Sequence, residues 1–120
     1  MFKFAADRIP VAIILLLTVF DFIVFINTES IWFFAIYLAI MIIPKSCISA
    51  WNHHHQHAAV FKHKALNRIL EILYALHTGI TTNLWVLHHN FGHHKNFLNQ
   101  EKDESRWKRK DGSIMNRWEY

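Results

Sequence analysis

The sequence predicts an all-α membrane protein: a hairpin of two transmembrane helices, followed by interfacial and cytoplasmic helices that carry clustered histidines. Three observations lead to this prediction. Two long apolar segments fill the first half of the chain, a helical stripe of leucines follows, and eight of the ten histidines fall in two short clusters. The composition, 52% hydrophobic with 18% charged residues, is apolar for a soluble protein. At 120 residues we expect one domain at most.

The first predicted transmembrane helix covers residues 9–26, an apolar run interrupted by Asp21. Its length is close to the ~20 residues needed to cross a bilayer. Pro10 falls in the first turn, where a missing N–H does no harm. A secretory signal is the competing interpretation, but no small-residue cleavage pattern follows and a second apolar run comes at once. Because a carboxylate is costly in lipid, we expect Asp21 to face protein or water, most simply in a helix–helix contact.

The second predicted transmembrane helix covers about residues 31–50, after a polar turn at residues 27–30. Residues 31–43 are apolar and Pro44 follows. This run is too short for a span unless the helix continues past Pro44, with or without a kink. The two runs together indicate a membrane hairpin.

The charges beside the hairpin predict its orientation. Lys3 and Arg8 flank one end, Lys45 flanks the other, and the connecting turn has no basic residue. The positive-inside rule therefore places both ends in the cytoplasm, with residues 53–57 emerging at that surface and Trp51 as an interfacial anchor. We expect a multi-pass protein of the bacterial inner membrane.

A third helix is predicted within residues 61–76, ending near Gly79. Its charged residues and short length argue against a span, so we expect it to lie in the membrane interface, with a soluble core helix as the alternative. The apolar stripe that predicts it has helical spacing and comprises Leu66, Ile69, Leu70, Leu73 and Leu76.

Residues 95–120 form a polar segment with a basic run at residues 108–110. We expect a solvated cytoplasmic surface there, with electron-donor docking or lipid contact as the alternatives. The net charge of +4 is modest, and no basic stripe with base-stacking aromatics appears, so nucleic acid is not an expected partner. The single cysteine, Cys47, allows no internal disulfide and is interpreted as a small apolar residue.

The two histidine clusters, residues 51–57 and 88–94, are the strongest functional signal. On a helix His53 and His57 stand at positions i and i+4, so both rings can face one point. His89 and His93 repeat that spacing, with His94 beside them. Neutral imidazole is a ligand for Fe, Zn, Cu and Ni. We therefore favour a metal site over proton buffering.

Other chemistries lack their signatures. No Glu-x-x-His motif occurs, which demotes the soluble di-iron carboxylate bundle, and no His-Glu-x-x-His motif supports a zinc protease. No Gly-rich phosphate loop occurs either. An all-imidazole site at a membrane surface remains. Zinc would tolerate such a site, but zinc rarely needs more than four ligands, and the two clusters contain eight histidines.

Behind a membrane hairpin, His53-x-x-x-His57 and His89-x-x-x-His93-His94 resemble the first two histidine boxes of the membrane fatty acid desaturase superfamily. That group also contains alkane and xylene hydroxylases. The similarity extends over essentially the whole chain, and residues 87–94 and 103–107 are the parts most like bacterial members. The resemblance implies a di-iron centre on the cytoplasmic side that activates O2 and removes hydrogens from a fatty acyl chain. It also implies an electron donor such as ferredoxin, rubredoxin or cytochrome b5.

Carried onto this sequence, the resemblance implies five iron ligands: His53, His57, His89, His93 and His94. It assigns no other catalytic or cofactor-binding residue. Three further histidines are interpreted either as alternative ligands or as residues that orient the ligands: His54, His55 and His88. For four further residues a structural role is at least as strong an interpretation as a functional one: Asn52, Gln56, Asn90 and Gly92. Gly92 would allow close approach of the backbone.

The sequence departs from the superfamily in lacking a third histidine box and a second pair of membrane helices. Two irons need on the order of eight ligands, so we expect the chain to be an N-terminal portion of a longer enzyme. The expected activity is introduction of a double bond into a fatty acyl lipid. The alternatives are a hydroxylase of the same superfamily, a non-enzymatic membrane metal- or haem-binding protein, or a plain membrane anchor.

Overall fold

Helices account for the regular secondary structure of the described chain. The structure is a computed structural model that describes residues 1–103 and 105–119; Glu104 and Tyr120, which fall in segments singled out above, lie outside them. No strand forms within those residues, only isolated bridges such as Phe2 with Phe61. The all-α prediction is therefore confirmed. In chain order the helices are α1 (Arg8–Asn27), α2 (Ile31–His57), α3 (Lys64–Thr78) and α4 (Thr82–Trp85), the last running into a π-helical stretch, Val86–His93, and a 3-10 turn, His94–Asn96.

Contacts divide the chain into two compact units, Met1–Thr81 and Thr82–Tyr120. The first unit contains α1, α2 and α3 and carries the first histidine cluster at the end of α2. The second unit contains α4, the π-helical stretch and the polar segment, and it carries the second cluster.

Helices α1 and α2 form the predicted hairpin. With the 3-10 turn before it, α1 has 23 residues, and α2 has 27; the most apolar 18-residue stretch of each has a mean hydropathy of 2.8 and 2.0, respectively. Both are long and apolar enough to cross a membrane. Helix α2 continues through Pro44 to His57, as a second span required. At 1.5 Å per residue it is about 40 Å long, which exceeds the roughly 30 Å of a hydrocarbon core. A spanning α2 therefore carries its terminal histidines beyond the lipid chains.

The expected polar contact of Asp21 is present inside the first unit. Asp21 accepts a hydrogen bond from the Tyr37 hydroxyl and forms an ion pair with Lys45, whose Nζ lies 2.6 Å from Oδ2. The ring of His77, on α3, also lies 3.2 Å from that oxygen. The Asp21–Lys45 pair thus joins three helices, since Lys45 also donates to the ring of His77, and this accounts for a charge within an apolar helix.

The core of the first unit lies where α3 crosses the hairpin. Its fully buried apolar side chains come from all three helices: Ile14, Ile48, Leu70 and Tyr74. Gly79 ends α3 in the left-handed region, at φ 71°, and its N–H donates to the carbonyl of Ala75, as predicted.

The opposite face of α3 is also apolar and is open to solvent. Ile69, Ile72 and Leu76 are 55%, 61% and 71% exposed. A helix that is apolar on both its core face and part of its outer face suits the membrane interface.

In the second unit the polar segment is folded by turns. The turn after the 3-10 helix contains Leu98 at φ 66°, the one non-glycine residue with positive φ within the described chain. Farther along, the N–H of Met115 donates to the carbonyl of Trp107, and Arg109 pairs with Glu119. Residues 95–103 and 105–119 are therefore held by local hydrogen bonds despite their high charge.

Candidate metal centre

The first cluster lies on the last two turns of α2. Because His53 and His57 are four residues apart on a regular α-helix, their side chains share one face. Their ring centroids are 4.9 Å apart, and one ring nitrogen of each lies within 4.8 Å of the other. The structure thus brings together the two residues that the sequence paired.

His55 takes the opposite face of the same helix and is 5% exposed. Its Nδ1 accepts from the N–H of Val60 at 3.4 Å, and its Nε2 lies 3.5 Å from Oε1 of Glu71. Its ring also contacts Tyr74, with centroids 5.5 Å apart. Both ring nitrogens face protein partners, so His55 joins α2 to α3 rather than serving as an alternate ligand. Its neighbour His54 is solvent-exposed.

Asn52 and Gln56, also considered from the sequence, bond to each other. Asn52 is 1% exposed, and its Oδ1 accepts from Nε2 of Gln56 at 3.0 Å. The Asn52 amide nitrogen is buried with no hydrogen-bond partner among the described residues. This geometry favours a structural role in holding the end of α2.

The second cluster lies on a π-helical stretch rather than an α-helix. In a π-helix the backbone bonds join residues five apart, and the N–H of His94 donates to the carbonyl of His89. The side chains follow the same spacing: Nε2 of His89 and Nε2 of His94 are 3.0 Å apart. The sequence paired His89 with His93 by α-helical spacing, whereas in the structure the ring of His89 is nearer to His94, with centroids 4.5 Å apart, than to His93, at 5.6 Å.

His93 is turned toward Asp103, a residue that the sequence analysis did not single out as part of the site. Nδ1 of His93 lies 2.9 Å from Oδ1 of Asp103, whose side chain is inaccessible to solvent. That hydrogen bond, with help from the Ser105 amide, holds the pKa of the Asp103 carboxyl below its usual range. The sequence offered one indication that Asp103 belongs to the site: it begins the segment 103–107, which is one of the two parts of the chain that carry the family resemblance.

The remaining polar residues of the second cluster have less defined roles. Oδ1 of Asn90 is buried and has no hydrogen-bond partner among residues 1–103 and 105–119. The carbonyl of Gly92 accepts from Nδ2 of Asn96 at 2.8 Å, which ties the π-helical stretch to the turn that follows. His88 is exposed.

His77, outside both clusters, was missed because no histidine neighbours it in sequence. Thr18 donates its hydroxyl hydrogen to the carbonyl of Ile14, so its oxygen accepts from Nε2 of His77, at 2.9 Å. The other ring nitrogen then accepts from Lys45, at 3.2 Å. Burial and the Lys45 charge lower the pKa of His77. It is a neutral link between α3 and the hairpin, with both nitrogens occupied.

The donor set fits a transition metal. Imidazole nitrogens bind at about 2.0–2.1 Å, so two of them at right angles on one metal are about 3 Å apart. The 3.0 Å between the Nε2 atoms of His89 and His94 matches this separation. In the metal-free hydrogen bond one nitrogen must carry the shared proton, and a metal would take the place of that proton. Iron is among the metals that imidazole suits.

Comparison with known protein families matches residues 29–120 to the fatty acid desaturase family. Searches of curated proteins and of solved structures gave no match. The matched range begins in the turn of the hairpin and includes α2, α3 and both histidine clusters. Because it covers more than half of the sequence, the chain belongs to the fatty acid desaturase family.

Proposed function

We propose that the chain acts in a membrane-bound, O2-dependent di-iron oxidoreductase that introduces a double bond into a fatty acyl chain. Family membership supports an oxidoreductase. The observation that carries the proposal further is the His89–His94 pair, whose nitrogens already have the separation of two ligands on one metal.

In this proposal five histidines contribute ligands to one di-iron centre: His53, His57, His89, His93 and His94. When bound, the di-iron centre supplies O2 activation and the removal of hydrogens from an unactivated chain. The protein's own residues hold and orient the ligands. His55, buried against Tyr74 and Glu71, fixes the end of α2, so that its neighbours on the other face stay in place.

The membrane hairpin supports a lipid substrate. We propose that a fatty acyl lipid approaches from the bilayer, along the apolar outer face of α3 and the end of α2. The cytoplasmic orientation is part of the proposal. Because Lys45 is paired with Asp21, the charge bias that favours it depends mainly on Lys3 and Arg8.

An electron carrier is the partner that the reaction requires. The second unit offers a basic recess of about 550 Å³, lined in part by Arg106, Lys108 and Lys110. We propose that an acidic carrier of the ferredoxin, rubredoxin or cytochrome b5 type docks there, since opposite charges steer such encounters. A steep fall in reduction rate with rising salt would support this docking, and a salt-independent rate would count against it.

Product analysis tests the proposed function. The complete protein, in membranes with reductant and O2, is given an isotopically labelled saturated lipid, and the products are separated by mass. A desaturase yields a product lacking two hydrogens, whereas a hydroxylase of the same family yields one with an added oxygen. The exposed His63, outside both clusters, provides the control substitution His63→Ala. Full lipid oxidation by His57→Ala protein would overturn the proposal.

A non-enzymatic metal-binding protein is the second candidate, because the same nitrogen pair at 3.0 Å also suits zinc or copper. It predicts bound metal without O2 consumption. Measuring O2 uptake by the iron-loaded protein with reductant and lipid separates the two candidates.

A further inference from the structure

We propose that Asp103 is the positioning residue of the second cluster: it fixes His93 in the tautomer that leaves Nε2 able to bind a metal. The metal-orienting role rests on the proposed function, whereas the hydrogen bond between His93 and Asp103 does not depend on it. Neither the histidine spacing in the sequence nor the close His89–His94 pair identifies Asp103 as part of the site.

The hydrogen bond determines the tautomer. A carboxylate accepts hydrogen bonds, and Oδ1 of Asp103 already accepts one from the N–H of Ser105. Nδ1 of His93, 2.9 Å from Oδ1, must therefore carry the hydrogen. In neutral imidazole the lone pair is then on Nε2, which is the arrangement found where a carboxylate orients a metal-binding histidine.

Asp103 is itself held in place by the turn that contains it. Its own N–H donates to the carbonyl of Asn99 at 2.8 Å, and the N–H of Ser105 donates to its Oδ1, also at 2.8 Å. The residue before Asn99 is Leu98, whose φ of 66° is unfavourable for a side chain of this size. The carboxylate is thus fixed from both sides before any metal is present.

The imidazole is also restrained on its other side. The ring of Phe97 meets the ring of His93 edge-on, with centroids 5.3 Å apart. An edge-on aromatic contact and a charged hydrogen bond together restrict rotation of the imidazole about its side-chain torsions. The ring is therefore oriented by two residues that lie in the segment following the cluster.

Nitrogen NMR of the metal-free chain in detergent, labelled with 15N-histidine, tests the tautomer directly. We expect His93, identified by the signal that His93→Gln removes, to show the Nδ1–H tautomer. Asp103→Ala should shift the signal toward the Nε2–H tautomer, whereas Asp103→Asn, which keeps an acceptor oxygen, should retain more of the original form. The control is Asp111→Ala, which removes an exposed turn aspartate of the same unit and should leave the signal unchanged. An Nε2–H tautomer at His93 in the unsubstituted chain would overturn the proposal.

A cobalt titration then separates positioning from general structural support. Asp103→Ala should weaken Co²⁺ binding about 10- to 100-fold, the usual effect of losing a carboxylate that orients a ligand. In a His93→Gln background the same substitution should have almost no effect, because the ligand that it orients is gone. An equal loss in both backgrounds would contradict the positioning role. If the chain binds no cobalt, the proposed function fails, and the tautomer measurement still decides the role of Asp103.

Discussion

The two histidine clusters achieve close pairing by different helices. At the end of α2 the backbone keeps α-helical spacing, with the N–H of Ala58 bonded to the carbonyl of His54, and the facing histidines are four residues apart. In the second unit the N–H of His94 bonds to the carbonyl of His89, and the facing histidines are five apart. Similar motifs therefore do not imply similar geometry, because the backbone hydrogen bonds decide which side chains meet.

The clusters also differ in what supports them. The first depends on its own helix and on the buried His55, which is held by groups on α3 and in the connection before it. The second has no buried residue in its helical stretch and takes its support from the following segment, through Asp103 and Phe97. The first cluster is thus supported by a buried residue of its own helix, and the second by residues of the turn that follows it.

The largest expected effect tests whether both clusters serve one function. We expect His57→Ala and His94→Ala each to reduce lipid oxidation by the complete protein more than about 100-fold, since losing a ligand exceeds losing a residue that orients one. His63→Ala serves as the control, with unchanged activity. Product yield is measured by mass spectrometry. If only one of the two substitutions reduced the yield, the two clusters would not serve one function.

A second prediction contrasts two adjacent residues of the first cluster. His55→Ala should destabilise the first unit by about 2–3 kcal/mol, because it removes a buried ring and leaves its partners unsatisfied. His54→Ala, at an exposed position, should change the free energy of unfolding by less than about 0.5 kcal/mol. Unfolding in detergent followed by circular dichroism measures both. A larger loss for His54→Ala would show that the support of this cluster has been misassigned.

A third prediction concerns the polar contact beneath the first cluster. Asp21→Asn should cost about 1–3 kcal/mol, because Lys45 loses its charged partner in a partly buried setting. Adding Lys45→Met should restore part of that loss, as the unpaired charge is then removed. Glu29→Gln, in the exposed turn of the hairpin, is the control. No recovery in the double variant would mean that the ion pair is not the stabilising element.

The smallest expected effect is on pH dependence. Unfolded His77 takes up a proton near pH 6.5, whereas in the folded protein burial and Lys45 hold its pKa lower. At a pH between the folded and the unfolded pKa of His77, the unfolded chain binds more protons than the folded chain. The free energy of unfolding should therefore fall as the pH drops below about 6.5. His77→Gln should flatten that slope, and His63→Gln should not. Asp21 and Lys45 are the charged groups that face this ring. An unchanged slope in His77→Gln would exclude His77 as the source.

Local signals predicted most of the fold. The apolar runs gave both spans, the leucine stripe gave α3, and Gly79 gave its end, because each depends on neighbouring residues. The site was less predictable. His77 and Asp103 act through partners 10 or more residues away, and the π-helical spacing of His89 and His94 follows from backbone bonds that the residue pattern does not encode.

X-ray absorption at the iron edge of the iron-loaded complete protein tests the central claim, that both clusters hold one di-iron centre, most directly. We predict imidazole scattering together with an iron–iron distance, and a reduced number of imidazoles per iron in both His57→Ala and His94→Ala. Iron without imidazole scattering, or imidazole scattering that changes in only one of the two variants, would contradict the claim.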